Sequence, residues 1–172
     1  MPDGSISYAL SGRTCRLAIR GVARFHLGAR LDAFVRGLFA EHAVETVEFD
    51  LTDAEHLDST MLGLIARAAR YSASRSGRRP LVYSTREDIT FLLDTTGFDA
   101  CADIAPRCPP DCGPMQELPP VVESPRERVA RVLKAHRTLM DISDRNVEVF
   151  ADTVEALKRD LASHPPPSQE PP

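Results

Sequence analysis

The stretch VEFDLTDAEHLDSTMLGLIARAAR, Val47 to Arg70, changes character halfway along. Its first residues alternate Val and Phe with Glu and Asp, the period-two pattern of a strand with one buried face. From Met61 onward it is apolar around most of a helix circumference, which is typical of a helix inside a core. Asp58 and Ser59 stand between the two halves. The stretch therefore predicts a strand, a short connection and a core helix with a polar first turn.

On the N-terminal side of this stretch, the sequence predicts a hairpin followed by a helix. Residues 5–12 and 13–21 alternate weakly and are joined around Ser11-Gly12-Arg13, which favours two adjacent strands. Apolar side chains then recur at helical spacing from His26 to His42, so an amphipathic helix is expected there. The strand that opens the quoted stretch is expected to run from Val44 to Leu51.

On its C-terminal side, a strand is expected at Leu81–Tyr83, then a helix, then a short strand at 102–105. Ser84 or Thr85 is predicted to cap the helix, with Glu87 completing a capping box with Ser84, and Gly97 is predicted to end it. Strands and helices thus alternate over residues 1–105. This order predicts an α/β fold, a mixed β-sheet with α-helices packed on it.

The remaining chain has a different composition. Prolines crowd residues 106–123, which predicts a linker or a loop along the surface. Residues 124–163 are predicted as a two-helix extension that begins with Ser124 as N-cap, Pro125 in the first turn and Glu127 in a capping box. Its apolar stripes can cover a flank of the domain or form a dimer or partner surface, and both uses remain open. Residues 164–172 are expected to be a disordered tail.

Composition restricts the functional class. The formal net charge is -4 and no basic run is present, so nucleic acid is not an expected partner. No stretch is long and apolar enough for a membrane span and no signal peptide is evident, which predicts a cytoplasmic protein with reduced thiols. The spacing of the cysteines does not match a zinc pair, so neither metal nor cofactor is expected; the cysteines are Cys15, Cys101, Cys108 and Cys112.

Catalysis is not predicted. A Ser-His-Asp set could be drawn from Ser59, His56 and Asp58, but residues so close along one turn point in different directions, and no nucleophile elbow is present. His56 and His136 are expected to be structural, the latter as a hydrogen-bonded packing residue on a helix stripe. Asp58 is suited to cap the core helix, which places Ser59 at its first position, near the carboxyl edge of the sheet. By spacing alone, capping is the simpler interpretation of these polar residues.

The segment from Val47 to Arg70 also resembles the hallmark segment of STAS domains, the anti-sigma factor antagonists or anti-anti-sigma factors. That family's pattern is an apolar strand ending in Asp, a short loop, Asp-Ser-Ser or Asp-Ser-Thr, then Gly-Leu-Gly and an apolar helix. The matching residues are Phe49-Asp50-Leu51, Asp58-Ser59-Thr60 and Leu62-Gly63. The predicted order of elements over residues 1–105 fits the family's domain as well.

The resemblance implies a partner switch in bacterial transcription regulation. In the family, the serine directly after the aspartate is the phosphate acceptor, which here is Ser59. The unphosphorylated protein occupies an anti-sigma factor or a serine kinase, and a PP2C-type phosphatase reverses the phosphorylation. Added charge beside Asp58 would weaken the complex. A scaffold or small-ligand-sensing STAS module, in which Ser59 only caps a helix, is the alternative.

Two positions depart from the family pattern. Met61 stands where many members have Gly, and Gly21-Val22-Ala23-Arg24 lacks the acid that the family places after its second strand. Arg24 could instead receive a phosphate on Ser59. The predicted partner-binding residues are therefore Asp58, Ser59, Thr60, Met61 and Arg24.

Overall fold

A computed structural model describes residues 4–41, 44–110 and 113–166. The predicted hairpin is present, with β1 and β2 antiparallel and Ser11 paired with Thr14. The seven strands are β1 (Ser5–Ser11), β2 (Thr14–Ala23), β3 (Thr46–Asp50), β4 (Ala54–Leu57), β5 (Leu81–Tyr83), β6 (Asp103–Ala105) and β7 (Gln116–Glu117).

These strands form one mixed sheet in the order β6-β5-β3-β2-β1-β7, with β4 paired to β2 off this path. β1 lies antiparallel to both of its neighbours, whereas β3, β5 and β6 run parallel to one another, as expected where crossover helices join the strands. The α/β fold with helices packed on a mixed sheet is thereby confirmed.

β4 was not predicted, because the residues between the predicted strand and the core helix were interpreted as a short connection. β2 is long enough to pair with two strands in turn: its first half pairs with β3, and its last three residues pair with β4. The register shifts between Gly21 and Val22, and Gly21 has a φ of 65°, which side chains other than glycine adopt with strain. This irregularity at Gly21 allows the second pairing, which brings the residues after β4 to the end of β2.

The helices on the sheet are α1 (Gly28–Glu41), α2 (Ser59–Ser76) and α3 (Glu87–Thr95). A short 3-10 turn, Phe25–Leu27, precedes α1, so the helix predicted from His26 starts later than expected, and its predicted end at His42 lies outside the described residues. The core between these helices and the sheet includes Leu17, Phe49, Ile65, Leu93 and Phe98.

The predicted capping box at the start of α3 is wrong. The N-cap is Arg86, and its side chain makes no capping hydrogen bond. Ser84 is buried and its hydroxyl bonds that of Thr90 at 2.9 Å, while Thr85 donates to the Thr52 carbonyl at 3.3 Å. Ser84 thus bonds a side chain within α3 and Thr85 bonds the segment after β3, so neither acts as the predicted cap.

The described residues of 106–123 contact the sheet at several points. β7 pairs with β1, the neighbouring Leu118 is only 1% exposed, and the Pro109 carbonyl accepts a hydrogen bond from Arg16. Local periodicity could not reveal β7, because only two residues pair. The described part of this segment thus contacts the domain through β7, Leu118 and Pro109.

A polar cluster is buried on β2, β3 and β5. Arg16 donates to Glu48 Oε2 from Nε and Nη2, at 3.2 and 3.0 Å, and Tyr83 donates to the same oxygen at 3.1 Å. Burial, and then the neighbouring Glu48 carboxylate, raise the pKa of Tyr83 to about 12. Both effects disfavour the phenolate, so the folded protein holds this proton more tightly than the unfolded chain does.

Because the pKa of Tyr83 is raised in the folded protein, we expect the protein to lose stability at alkaline pH. The contribution of Tyr83 is fully present below the ordinary tyrosine pKa of 10.0 and is lost as the pH rises through about 12. Denaturant titrations between those pH values should show the free energy of unfolding falling. The Tyr83→Phe variant lacks this proton, so its free energy of unfolding should fall less over the same pH interval. An identical decline in the variant and the wild type would contradict the assignment to Tyr83.

The C-terminal extension forms two helices, α4 (Pro125–Ile142) and α5 (Asp144–Ser163), and the predicted capping box is confirmed. Ser124 Oγ accepts from the Glu127 N–H at 3.2 Å, and Glu127 Oε2 accepts from the Ser124 N–H at 2.7 Å. Within the described ranges, no helix is long and apolar enough to cross a membrane. Most of the predicted tail, residues 167–172, lies outside them.

The apolar stripe of α4 covers the domain. Leu133, Ala135 and Leu139 are at most 4% exposed, and the latter two belong to the same core as the sheet. Covering a flank of the domain was one of the two uses that the sequence left open. The stripe of α4 is thus already occupied within the chain, and a dimer surface on α4 and α5 would have to use their outer faces.

Candidate functional site at the start of α2

Asp58 connects the end of β2 to the start of α2. Its Oδ1 accepts from the Met61 N–H at 2.9 Å, which confirms the predicted N-cap. Its Oδ2 accepts from the Phe25 N–H at 2.6 Å, and its own N–H donates to the Ala23 carbonyl at 3.3 Å. One residue therefore holds together the segment that follows β2 and the first turn of α2.

Ser59, at the first position of α2, is half-buried and bonded to α4. Its Oγ lies 2.9 Å from Nε2 of His136, and Nδ1 of that ring lies 2.8 Å from the Val132 carbonyl. Because a carbonyl only accepts, Nδ1 carries a proton; in the neutral ring, Nε2 then accepts from the Ser59 hydroxyl. His136 is 5% exposed, and its ring meets that of Phe150 edge-on.

The prediction of His136 as a hydrogen-bonded packing residue agrees with this geometry, but its contact with Ser59 was not predicted. The two residues are 77 positions apart in the chain, and no spacing rule relates a serine at a helix start to a histidine on a distant helix. A histidine on an otherwise apolar stripe was the one available signal.

Gly63 is the point at which α2 and α4 cross. A Cβ atom added to Gly63 would lie 2.2 Å from the Ala135 carbonyl oxygen and 2.7 Å from the Ala135 Cα. Those are backbone atoms, so no side-chain rotation could make room. The crossing requires glycine on α2 and is closed by a small residue on α4.

Two of the predicted partner-binding residues do not reach the surface. Thr60 is 4% exposed and Met61 is fully buried, because the second and third positions of α2 turn toward the core. The prediction that their side chains form a partner surface does not hold in this conformation. Arg24 is exposed and lies between Ala23 and Phe25, both of which bond Asp58, so it stands beside the site.

Further contacts fasten α4 and α5 to the domain. Arg131, 5% exposed, pairs with Glu123 at 2.5 Å and packs against Gly28 at the start of α1. Its Nη1 has no hydrogen-bond partner among the described residues. On α5, Asn146 donates from Nδ2 to the Thr96 carbonyl at 2.9 Å, beyond the end of α3.

A groove of about 480 Å³ lies between α1 and α2 and reaches α4. Its apolar lining includes Leu31, Val35, Phe39, Leu64 and Tyr71. An ion pair between Asp32 and Arg67, at 3.0 Å, also lines it. A groove of this volume with a mainly apolar lining lies in the size range of small-ligand sites.

Cys15 and Cys101 are buried thiols. Burial raises the pKa of Cys15 to about 12 and that of Cys101 to about 11, so both stay protonated at neutral pH. Over the described part of the chain, no group of three or more His, Cys, Asp or Glu side chains could hold a metal ion. Cys112 lies outside that part.

Comparison with solved structures shows a likeness of fold. No protein-family model and no curated relative matches the chain. Among solved structures, the chain is similar to the anti-sigma factor antagonist SpoIIAA in its unphosphorylated form, with a TM-score of 0.50 and 13% sequence identity. The match covers 60% of this chain and 90% of SpoIIAA. The chain therefore has a STAS-like fold, and part of it lies beyond the matched region.

Proposed function

We propose that this chain is an anti-sigma factor antagonist of a partner-switching pathway in the cytoplasm. It binds an anti-sigma factor or a serine kinase while Ser59 is unphosphorylated, and it is released by phosphorylation of Ser59. The observation that carries the proposal is the position of Ser59: a hydroxyl at the first residue of α2, next to Asp58, on a fold similar to that of SpoIIAA.

The chemistry of the site suits a phosphate switch. The positive end of the α2 dipole tolerates an anion at the first position, and Arg24 is exposed nearby. A phosphate of about -1.5 to -2 charge would meet the Asp58 carboxylate and a surface that must lose water on binding. Phosphorylation therefore weakens the complex, and a PP2C-type phosphatase restores it. The chain itself is not an enzyme in this scheme.

Direct phosphorylation tests the proposal. The protein is incubated with the serine kinase of its own pathway and ATP, and the modified residue is located by mass spectrometry. Phosphate on Ser59 is expected, and Ser59→Ala should take up none. An unmodified Ser59 in the presence of a kinase that is active on a control substrate would rule out the switch.

Two substitutions at Ser59 should separate the bound and released states. Ser59→Ala cannot be phosphorylated and should hold the partner continuously. Ser59→Asp introduces a charge beside Asp58 and should release it, lowering affinity by about tenfold or more in a pull-down or titration. Thr95→Asp, at the end of α3, adds the same charge elsewhere and should leave affinity unchanged.

A scaffold or small-ligand-sensing module is the second candidate. It is favoured by the Ser59–His136 hydrogen bond, which gives the hydroxyl a structural partner, and by the groove between α1 and α2. Equal partner affinity of Ser59→Ala and Ser59→Asp would favour this candidate over the switch.

A further inference from the structure

One face of α2 is occupied by α4 from the first turn, at Ser59, as far as Arg70. Ser59 bonds His136 at 2.9 Å, Gly63 meets the Ala135 backbone, and Arg70 pairs with Asp141 at 3.5 Å. The face includes the residue proposed as the phosphate acceptor. In this state, an outside partner that binds α2 around Ser59 meets α4 first.

The same contacts describe the kind of element that fits this face. Gly63 admits another helix only if that helix has a small residue at the crossing. Ser59 offers a hydroxyl that needs a hydrogen-bond acceptor, and the Arg70 side chain, half exposed, favours an acid. An amphipathic helix with a small residue, a polar residue directly after it and an acid further along meets all three requirements, as Ala135, His136 and Asp141 do on α4.

The exposed segment before α4 could act as a hinge about which α4 moves away from α2. Leu118 is 1% exposed and fixes the chain to the sheet, whereas the following four residues are exposed and Val122 is 99% exposed. Of the contacts that hold α4, the ion pair between Arg70 and Asp141 is exposed and therefore weak. Displacement at Pro119–Val122 breaks no strand pairing among the described residues, but it uncovers the core around Ala135 and Leu139, which a partner helix would have to cover again.

We propose that the α2 face around Ser59, Gly63 and Arg70 is a helix-docking surface, which α4 occupies until a partner helix of the same chemistry takes its place. The identity of that partner rests on the proposed function. Ser59 becomes accessible to a kinase through the same displacement, since its hydroxyl is bonded to His136 in the closed state. The apparent affinity for the partner is the intrinsic affinity multiplied by the fraction of molecules that are open.

Supplying the helices in trans tests the docking surface. A fluorescent peptide of residues 124–163 is titrated with the full chain carrying Ala135→Asp, which places a carboxylate at the buried crossing and weakens the chain's own α4. The peptide should bind this variant at least about tenfold more tightly than the wild type, because the open fraction rises. Lys134→Asp adds an acid on the exposed side of α4, and its affinity should match the wild type.

A second substitution tests whether the peptide binds at the α2 face around Gly63. Gly63→Ala combined with Ala135→Asp should abolish peptide binding, because the added methyl group blocks the crossing. If Ala135→Asp does not fold, as judged by circular dichroism, His136→Ala replaces it, with Lys134→Ala as control. Equal peptide affinity of the opened variant and its control, or binding that survives Gly63→Ala, would overturn the docking surface.

These outcomes are independent of the kinase assay. Peptide binding without Ser59 phosphorylation would keep the docking surface and remove the switch. Phosphorylation of Ser59 without peptide binding would keep the switch and remove the docking surface.

Discussion

Gly63→Ala is expected to destabilise the protein by about 2–3 kcal/mol, the upper range for overpacking a well-packed core. The added Cβ would lie 2.2 Å from the Ala135 carbonyl oxygen, so α2 and α4 would have to separate. Separation stretches the Ser59–His136 hydrogen bond and opens the contacts around the crossing. Equilibrium denaturation followed by circular dichroism measures the loss.

The matched control is the same substitution in another helix. Gly37 lies inside α1, and a Cβ added there would meet no atom within 4 Å. Alanine restricts the unfolded chain and favours the helix, so Gly37→Ala should stabilise by about 0.5–1 kcal/mol. The changes in the free energy of unfolding at Gly63 and Gly37 should have opposite signs. A destabilisation of the same size at both positions would mean that the crossing at Gly63 does not cause the effect.

Arg16→Ala is expected to cost about 3 kcal/mol, as for other buried ion pairs that lose one member. Its guanidinium donates twice to Glu48 and once to the Pro109 carbonyl, and the Arg16 and Glu48 side chains are only 10% and 16% exposed. The substitution leaves a carboxylate on the sheet with the Tyr83 hydroxyl as its remaining bond from this cluster. Urea titration at neutral pH measures the cost.

An exposed ion pair between the β1–β2 turn and the residue before β3 provides the comparison. Arg13 and Glu45 are 2.8 Å apart, with 66% and 45% of their side chains exposed. Because water screens that pair, Arg13→Ala should cost less than about 0.5 kcal/mol. Comparable costs for the two substitutions would show that burial does not determine the contribution of Arg16. Glu48→Gln combined with Arg16→Ala should recover part of the loss, since it removes the unpaired charge.

The fold could be predicted as far as local signals extend. The hairpin, the buried helix α2 and the capping box at Ser124 each depend on residues a few positions apart, and all three were predicted. β4 and β7 were missed because they are short and exist only through pairing with distant strands. Ser84 had the right spacing for a cap, but its side chain is buried and its hydroxyl bonds that of Thr90 instead. Contacts with distant parts of the chain decide these cases, and they leave no pattern in the local sequence.

In the candidate site, too, features set by neighbouring residues were predicted and features set by distant contacts were not. The capping role of Asp58 follows from its place before an apolar helix, and it was predicted. The bond from Ser59 to His136 and the reason for Gly63 were not predictable, because both depend on where α4 comes to lie. The burial of Thr60 and Met61 depends on the exact rotation of α2 against the sheet.

The two hydrogen bonds of Asp58 explain which side chain this position accepts. One carboxylate oxygen serves α2, while the other holds the Phe25 N–H. Asparagine, serine and threonine are good N-caps, but each has only one side-chain oxygen, which would have to be shared between these two donors. Asparagine would also turn an N–H group toward one of the two N–H groups. An aspartate is therefore required here by geometry alone, whether or not its neighbour is ever phosphorylated.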